Sequence, residues 1–263
     1  MKRSFRFPAH RRKLVGVQMK VRLPLLVAAL LGVASLLPAA EVPKPGSIAA
    51  AVASLLEADA ELNGVSFGEV ILAATGKSVL PLILTNASDR ALLAKLSGAL
   101  DRVLAELNQP DHAAHKEKRI NEVSAHFENS LRTNLNRVPG FTCEVPKTAA
   151  GKRQRAGYPD LRLADQATGR VLYLDVKLFE SKRRSGNLRT FYFEPKQQTN
   201  KVLDDAHHLL VGFEHAGKLD GPWKFLSWDV VDLSRIKVRL KAEFQGSNHD
   251  LYRPEMIVGS SRK

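Results

Sequence analysis

The spacing of hydrophobic residues distinguishes predicted helices from predicted strands along the chain. Apolar residues recur at helical spacing in three segments, 48–62, 88–107 and 115–137. Short apolar or alternating runs predict strands at 65–84 with a turn at Thr75-Gly76, and at 141–145, 161–165, 170–178, 208–213, 223–233 and 236–244. Residues 197–205 are polar and predict a short helix or a crossing loop before the strand at 208–213.

The order of these segments predicts an α/β fold in which helices flank a mixed central β-sheet. Its core is read as helix, three strands, crossing segment and strand. We expect three regions: a leader at 1–40, a helical and hairpin segment at 41–110, and the core domain at 111–263. Asn86 or Ser88 is expected to cap the helix at 88–107.

The helix at 115–137 positions one acidic residue close to the predicted sheet. Its apolar stripe consists of Ile120, Val123, Phe127, Leu131, Leu135 and Val138. Glu122 falls opposite this stripe and is expected to face water, whereas Glu128 falls about 80° from the start of the stripe. Glu128 is therefore the residue of the two that could reach a site beside the sheet, although a surface ion pair would also explain it.

The strands at 161–165 and 170–178 combine an apolar face with a charged one. Leu172, Leu174, Val176 and Leu178 share one face, and Asp175 and Lys177 lie on the other with Val171 and Tyr173. A buried charge needs a partner or a metal ion. A hairpin turn at Thr168-Gly169 would bring Asp160 near Asp175, and two carboxylates suit Mg²⁺. The alternative is a surface hairpin with a solvated Asp-Lys pair.

Pro159-Asp160, followed after fourteen residues by Asp175-Val176-Lys177, resembles the PD-(D/E)XK motif of the restriction-endonuclease-like nucleases. The resemblance covers about 113–215, and 191–193 and 207–213 look like the hairpin and next core strand of some type II restriction enzymes. It implies a restriction-endonuclease-like core and phosphodiester hydrolysis. It also implies that Asp160, Asp175 and the Val176 carbonyl hold Mg²⁺, that Lys177 orients or activates water, and that Glu128 joins the site.

Charge is concentrated around this motif. The formal charge is +13, but residues 1–40 hold eight Lys or Arg and no acid, which leaves 32 basic and 27 acidic residues. Residues 152–190 hold ten basic and four acidic residues, a net +6 that suits a phosphate backbone. The expected nucleic-acid contacts lie in a loop and in a hairpin tip at 181–189: Lys152, Arg153, Arg155, Lys182, Arg183, Arg184 and Arg189. DNA is the expected partner, RNA also fits, and a homodimer is compatible with the pattern.

The first 40 residues predict export. Met19 starts a short basic segment, followed by an apolar run at 23–40 that ends in Ala39-Ala40 before Glu41. If this segment is a signal peptide that is cleaved there, the protein is periplasmic or secreted and has no stable membrane association. If the apolar run is not cleaved, it is long enough to predict a membrane anchor. If the leader does not function, the protein is expected in the cytoplasm. The single cysteine, Cys143, excludes an intrachain disulfide and is expected to be a buried strand residue.

Two hypotheses of different class follow. The first is a Mg²⁺-dependent deoxyribonuclease; the second is an exported non-catalytic module that binds nucleic acid or another polyanion through the same basic segments. Metal-dependent cleavage separates them, because only the first requires Asp160 and Asp175 to hold a metal ion.

Overall fold

The computed structural model describes residues 46–186, 191–218 and 221–261. Its α-helices are α1 (Ile48–Glu61), α2 (Phe67–Thr75), α3 (Ala87–Leu107), α4 (Ile120–Asn136) and α5 (Asn248–Leu251). Its strands are β1 (Asn63–Ser66), β2 (Val79–Leu80), β3 (Phe141–Glu144), β4 (Leu161–Asp165), β5 (Arg170–Glu180), β6 (Ala206–His215), β7 (Phe225–Asp232) and β8 (Lys237–Arg239). The predicted leader at 1–40 lies outside the described residues.

A six-stranded mixed sheet forms the centre of the protein. The strand order is β2-β6-β5-β4-β3, and β7 also pairs with β6. Strand β5 runs parallel to β6, as does β2, whereas the β3–β4, β4–β5 and β6–β7 pairs are antiparallel. This mixed sheet with flanking helices confirms the predicted α/β, restriction-endonuclease-like fold.

Helices α3 and α4 cover one face of the sheet. Leu172, Leu174 and Val176 of β5 are buried in the same apolar core as Phe127 of α4 and Leu100 of α3. The predicted apolar face of β5 is therefore confirmed. The α4 stripe also behaves as predicted, because its apolar positions lie in this core or pack against it.

A second, smaller core covers the opposite face of β5. It contains Tyr173, which is fully buried, together with Phe67 and Ile71 of α2, Val202 and Leu233. The side chains of Asp175 and Lys177 share this face, since alternate residues of a strand point the same way. The face of β5 that packs on α3 and α4 is thus apolar. The opposite face is apolar at Tyr173 and polar further along the strand, at Asp175 and Lys177.

Two smaller expectations are also confirmed. The Asn86 side chain accepts a hydrogen bond of 2.8 Å from the Ser88 amide and caps α3. Cys143 is a buried residue of β3, and burial raises the pKa of its thiol to about 12. In the part of the chain that the structure describes, no helix is both long and apolar enough to span a membrane.

The strand prediction for 65–84 is wrong over most of its length, because residues 67–75 form α2. The Ser66 amide donates to the Glu69 carboxylate and caps the start of this helix. This cap was not identified from the sequence because it lies within an apolar run that is also typical of a strand. Phe67 and Ile71 are one helical turn apart and both are buried. Only β1 and the two-residue β2 remain as strands in this region.

Four other predicted boundaries change. Helix α4 begins at Ile120 rather than at 115, after a separate 3₁₀ turn at Ala113–Lys116. The strand predicted at 223–233 is β7, slightly shorter at both ends, and of the strand predicted at 236–244 only β8 forms. Residues 181–183 are a 3₁₀ turn, not a hairpin tip, because β5 and β6 are parallel and a crossover must join them.

Residues 191–193 do not form a strand of the predicted hairpin. Their aromatic rings pack instead of pairing through the backbone: Phe191 and Phe193 meet Phe67 edge-on, with ring centroids 5.2 and 6.1 Å apart. This segment therefore completes the smaller core. An apolar aromatic triplet is compatible with either arrangement, so the alternation of side chains could not distinguish them.

Candidate active site

Strand β5 extends beyond the first residue of its antiparallel neighbour β4. Asp160, the residue before β4, lies beside this unpaired part of β5. The β4–β5 register starts at Leu161 opposite Leu174, and the Asp160 amide donates to the Leu174 carbonyl at 3.1 Å. The amide of Val176 faces the same side of β5, and it donates to Oδ2 of Asp160 at 2.8 Å. A side-chain carboxylate thus replaces a backbone carbonyl at the end of the ladder.

Asp175 and Lys177 form a close ion pair next to this bond. The Lys177 Nζ atom is 2.7 Å from Oδ2 of Asp175, whose side chain is 5% exposed, whereas the Lys177 side chain is 27% exposed. The Lys177 ammonium lowers the pKa of Asp175 through this contact. A carboxylate oxygen has two lone pairs, so the ion pair leaves one of them available.

The surroundings of Asp175 favour its protonated form. Burial raises its pKa to about 6, the nearby Asp160 carboxylate adds to this increase, and the Lys177 ammonium opposes it. An additional cation would reverse this balance, because opposite charge favours the ionised carboxylate. The site is therefore suited to attract a metal ion.

Glu128 approaches the same cluster from α4. Its side chain is half-buried, and burial together with the charge of Asp160 raises its pKa, while Arg155, Lys177 and Lys201 lower it. Glu122, on the same helix, is exposed and accepts from the Arg119 amide at the helix start. Of the two acids on this helix, Glu128 is the one that lies within electrostatic range of Asp160.

Two carboxylates and one backbone carbonyl are oxygen ligands of the kind that Mg²⁺ accepts. Within the described ranges, no group of three or more His, Cys, Asp or Glu residues is arranged to hold a metal ion. Mg²⁺ is usually bound by one or two carboxylates, with water and substrate phosphate completing its octahedron. The carboxylates of Asp160 and Asp175 and the carbonyl of Val176 fit this requirement.

The loop before β4 carries three exposed basic residues on the Asp160 side of the site. Arg153 pairs with Glu144 at 3.0 Å, and Arg155 donates to the Asn129 side chain of α4. Arg155 is close enough to Glu128 to lower its pKa. Lys152 is exposed, and none of the ion pairs of the described residues involves its side chain.

The second basic segment follows β5 and is engaged in ion pairs. Lys182 and Arg183 lie 2.9 and 3.1 Å from the Glu180 carboxylate, and Arg184 lies 2.8 Å from that of Asp229. All three side chains are more than half exposed. Arg189, the remaining expected contact, lies outside the described residues. The positive charge of this segment is thus partly neutralised by acidic side chains.

The sequence-based reasoning missed Lys201, which lies beneath the Asp160 loop. Its side chain is buried, and its ammonium donates to backbone carbonyls of that loop. The crossing segment was read only as polar, and a single lysine within it carries no pattern. Nothing in the spacing of residues could have identified it.

The partly buried Tyr158, two residues before Asp160, contacts the fully buried His208 of β6. Tyr158 and Nδ1 of His208 are 2.6 Å apart. Burial raises the pKa of Tyr158 well above its usual range and lowers the pKa of His208 to about 3, so both side chains are neutral. His208 is fully buried, and its ring packs against those of Tyr158, Tyr173 and Phe67, which indicates a structural role.

Comparison with known proteins shows what this chain is similar to. The model of the type II restriction enzyme MjaV family matches residues 60–255, which include every element from α2 to α5. The type II restriction enzyme MjaV of Methanocaldococcus jannaschii is 32% identical over 207 residues. The matched region covers 75% of this chain and 89% of that protein.

Proposed function

Because the chain belongs to the type II restriction enzyme MjaV family, we propose that it is a DNA endonuclease that hydrolyses phosphodiester bonds with Mg²⁺ at the Asp160–Asp175 site. The observation that carries the proposal is the buried Asp175 carboxylate, ion-paired with Lys177, beside the Asp160–Val176 hydrogen bond. The resemblance of these residues to the PD-(D/E)XK motif supports the same assignment.

The ligands of the metal ion would be Asp160, Asp175 and the carbonyl of Val176. When bound, Mg²⁺ would stabilise negative charge on the transferring phosphate and lower the pKa of a bound water. Two of these ligands lie on the central strand β5, which is buried between two cores. Their positions are therefore set by core packing, as a site that must hold its geometry requires.

Lys177 is the residue that we assign to orienting the attacking water or a phosphate oxygen. Its side chain is partly exposed, and its Nζ atom is held next to Asp175 and 3.4 Å from the Val176 carbonyl. An ammonium has three donors, so further hydrogen bonds can reach the substrate. Glu128 would adjust the charge of the site, and in its ionised form it would hold a second water.

DNA binding is assigned to the exposed basic residues on either side of the site. Lys152, Arg153 and Arg155 precede β4, and Lys182, Arg183 and Arg184 follow β5. Contacts of this kind position a duplex through its phosphates and carry no sequence information. The expected contact at Arg189 belongs to the same proposal.

Export remains our proposal for the first 40 residues. N-terminal sequencing of the protein from its natural host should find a chain that starts near Ala40 or Glu41. Retention of residues 23–38 in a membrane fraction would favour an anchor. A chain in the cytoplasm that starts at Met1 or Met19 would contradict export.

The test of the proposed activity is cleavage of plasmid and phage DNA by the purified protein. We expect cleavage with Mg²⁺, none with EDTA, and a loss of at least about 100-fold in Asp175→Asn, since even residues around a metal site often cost 10- to 100-fold. Asp165→Asn is the matched control, because Asp165 accepts from Ala167 and Thr168 in the turn at the opposite end of the same hairpin. DNA binding in EDTA should be similar in all three proteins.

Two results would contradict the proposal. Activity in Asp175→Asn with normal EDTA sensitivity would move the metal site elsewhere. Absence of Mg²⁺-dependent cleavage of any DNA, together with retained binding, would favour the non-catalytic module. Cleavage of RNA in place of DNA would change the substrate but not the site.

A further inference from the structure

Lys201 uses its whole hydrogen-bonding capacity on the loop that leads into Asp160. The residue is 1% exposed. Its Nζ atom lies 3.2, 3.3 and 2.5 Å from the carbonyl oxygens of Gln154, Arg155 and Gly157. A lysine ammonium has three N–H donors, so three carbonyls occupy all of them. Lys201 therefore has no donor left for a substrate.

The charge of this buried ammonium is balanced by the carboxylates of the site. Burial lowers the pKa of Lys201, and the charges of Asp160, Asp175 and Glu128 raise it again. Among the described residues none of these carboxylates forms a direct ion pair with it. An uncompensated buried charge is costly. The Lys201 ammonium in turn lowers the pKa of Asp175 and of Glu128.

The backbone attaches the loop to the crossing segment at two further points. The amide of Ala149 donates to the Asn200 carbonyl at 2.7 Å, and the amide of Ala150 to the Gln198 carbonyl at 3.3 Å. These bonds hold the start of the loop, whereas Lys201 holds its end, next to Tyr158 and Asp160. Without Lys201, the end of the loop would keep only its exposed side-chain contacts.

We propose that Lys201 is a positioning residue of the cleavage site, which holds the 154–157 loop so that the Asp160 carboxylate stays against the Val176 amide. It differs in this from Lys177, whose partly exposed ammonium has donors to spare. The inference rests on the proposed function only where it concerns cleavage; the attachment of the loop stands independently of it.

Trypsin provides a direct measurement of this attachment, because the loop itself contains Lys152, Arg153 and Arg155. We expect Lys201→Met to accelerate native-state cleavage at these three positions by about tenfold or more, since local opening controls such cleavage. Cleavage after Lys241, whose side chain is 55% exposed in the segment that follows β8, should keep its rate and serves as the internal reference. Lys196→Met is the matched control, because Lys196 precedes the same crossing segment, is 53% exposed and pairs with Glu194.

DNA cleavage provides the second measurement. Under single-turnover conditions with Mg²⁺, Lys201→Met should cleave at least about 100-fold more slowly, because small displacements of a catalytic group can cost this much. The dissociation constant for DNA in EDTA should stay within about threefold of the wild-type value. Lys196→Met should match the wild-type protein in both measurements.

Lys201→Arg keeps the inference testable if Lys201→Met does not fold. Arginine retains the charge, but its planar fork cannot direct three donors to three converging carbonyls. We expect a folded protein with faster trypsin cleavage in the loop and slower DNA cleavage. A Lys201→Arg protein with wild-type values in both measurements would overturn the proposal. Positive charge at this position would then be enough for normal cleavage, without the three hydrogen bonds to the loop.

Two other outcomes would overturn the proposed positioning role of Lys201. Slow DNA cleavage with an unchanged rate of trypsin cleavage in the loop would overturn the positioning role and indicate direct action on the substrate. Faster trypsin cleavage after Lys241 as well as in the loop would indicate a general structural role and would equally overturn the proposal. If the wild-type protein cleaves no DNA, the proposed function fails, whereas the trypsin measurement still decides whether Lys201 holds the loop.

Discussion

The Asp160 carboxylate accepts a 2.8 Å hydrogen bond from the Val176 amide, just beyond the last backbone pairing of β4 with β5. The same side chain thus completes the sheet and forms one side of the proposed metal site. Substitutions that separate these two roles should have different effects on stability and on cleavage.

Asp160→Asn should abolish cleavage while leaving the fold stable, whereas Asp160→Ala should impair both. Asparagine keeps a side-chain oxygen for the Val176 amide, but alanine leaves this buried amide without an acceptor, which costs about 1–3 kcal/mol. Urea unfolding in EDTA measures the stability of each variant. Equal stability of the two variants would show that the hydrogen bond contributes little to folding.

Asp175 should make the metal-free protein less stable as the pH rises. Its pKa is about 6 in the folded protein and 3.8 in the reference state, so the folded protein binds more protons between these values. Stability from this group is present below pH 3.8 and is lost as the pH rises to about 6, at up to about 1.4 kcal/mol per pH unit for one proton.

The comparison of urea unfolding between wild type and Asp175→Asn, in EDTA from pH 4 to 8, tests this expectation. Asparagine imitates the protonated acid and cannot ionise, so the variant should gain stability relative to the wild type as the pH increases. A difference that does not change with pH would contradict the raised pKa of Asp175.

The Tyr158–His208 pair should give the opposite dependence on pH. His208 has a pKa of about 3 in the folded protein and 6.5 in the reference state. Its contribution to stability is therefore present above pH 6.5 and is lost as the pH falls towards 3. His208→Phe should remove this loss while leaving the Tyr158 hydroxyl without its partner, at a cost of about 1–3 kcal/mol.

A double-mutant cycle separates the two effects of the pair. Tyr158→Phe with His208→Phe should be more stable than the His208→Phe single variant at pH 7, because neither polar group is then left unpaired. Purely additive free energies of unfolding would mean that the 2.6 Å contact contributes nothing of its own.

Lys152 should contribute more to DNA binding than Arg184 does. Arg184 must exchange its 2.8 Å ion pair with Asp229 for a phosphate contact, whereas Lys152 is exposed and has no such competitor among the described residues. Lys152→Ala should reduce the slope of log K against log salt concentration by about 0.9 on duplex DNA, and Arg184→Ala by less. Binding titrations in EDTA at several salt concentrations measure both slopes, and a larger effect of Arg184→Ala would place the duplex beyond the end of β5.

Side-chain periodicity was sufficient to predict the elements that carry the site. Alternation in β5 separated Leu172, Leu174 and Val176 from Asp175 and Lys177, and the helical stripe of α4 distinguished Glu128 from Glu122. Each of these inferences depends only on a repeat of two or 3.6 residues. The structure shows this arrangement of faces, and the functional roles of the residues remain predictions.

Contacts between distant segments could not be predicted in this way. The three carbonyls that bind Lys201 belong to a loop far from it along the chain, and backbone carbonyls are identical for every residue type. The helix α2 was missed because its short apolar run fits a strand equally well, and only the Ser66–Glu69 cap distinguishes the two.

The position of Asp160, one residue before β4, has a consequence for insertions and deletions in this family. A slip of one residue in the β4–β5 register would turn Leu161 and Leu163 away from the core and also remove Asp160 from the Val176 amide. Loss of core packing and loss of the site would therefore occur together. Changes in chain length should accumulate at 151–153, between the two attached parts of the loop, and be excluded from the 166–169 turn. Relatives with different loops could then contact DNA differently while retaining the same two carboxylates.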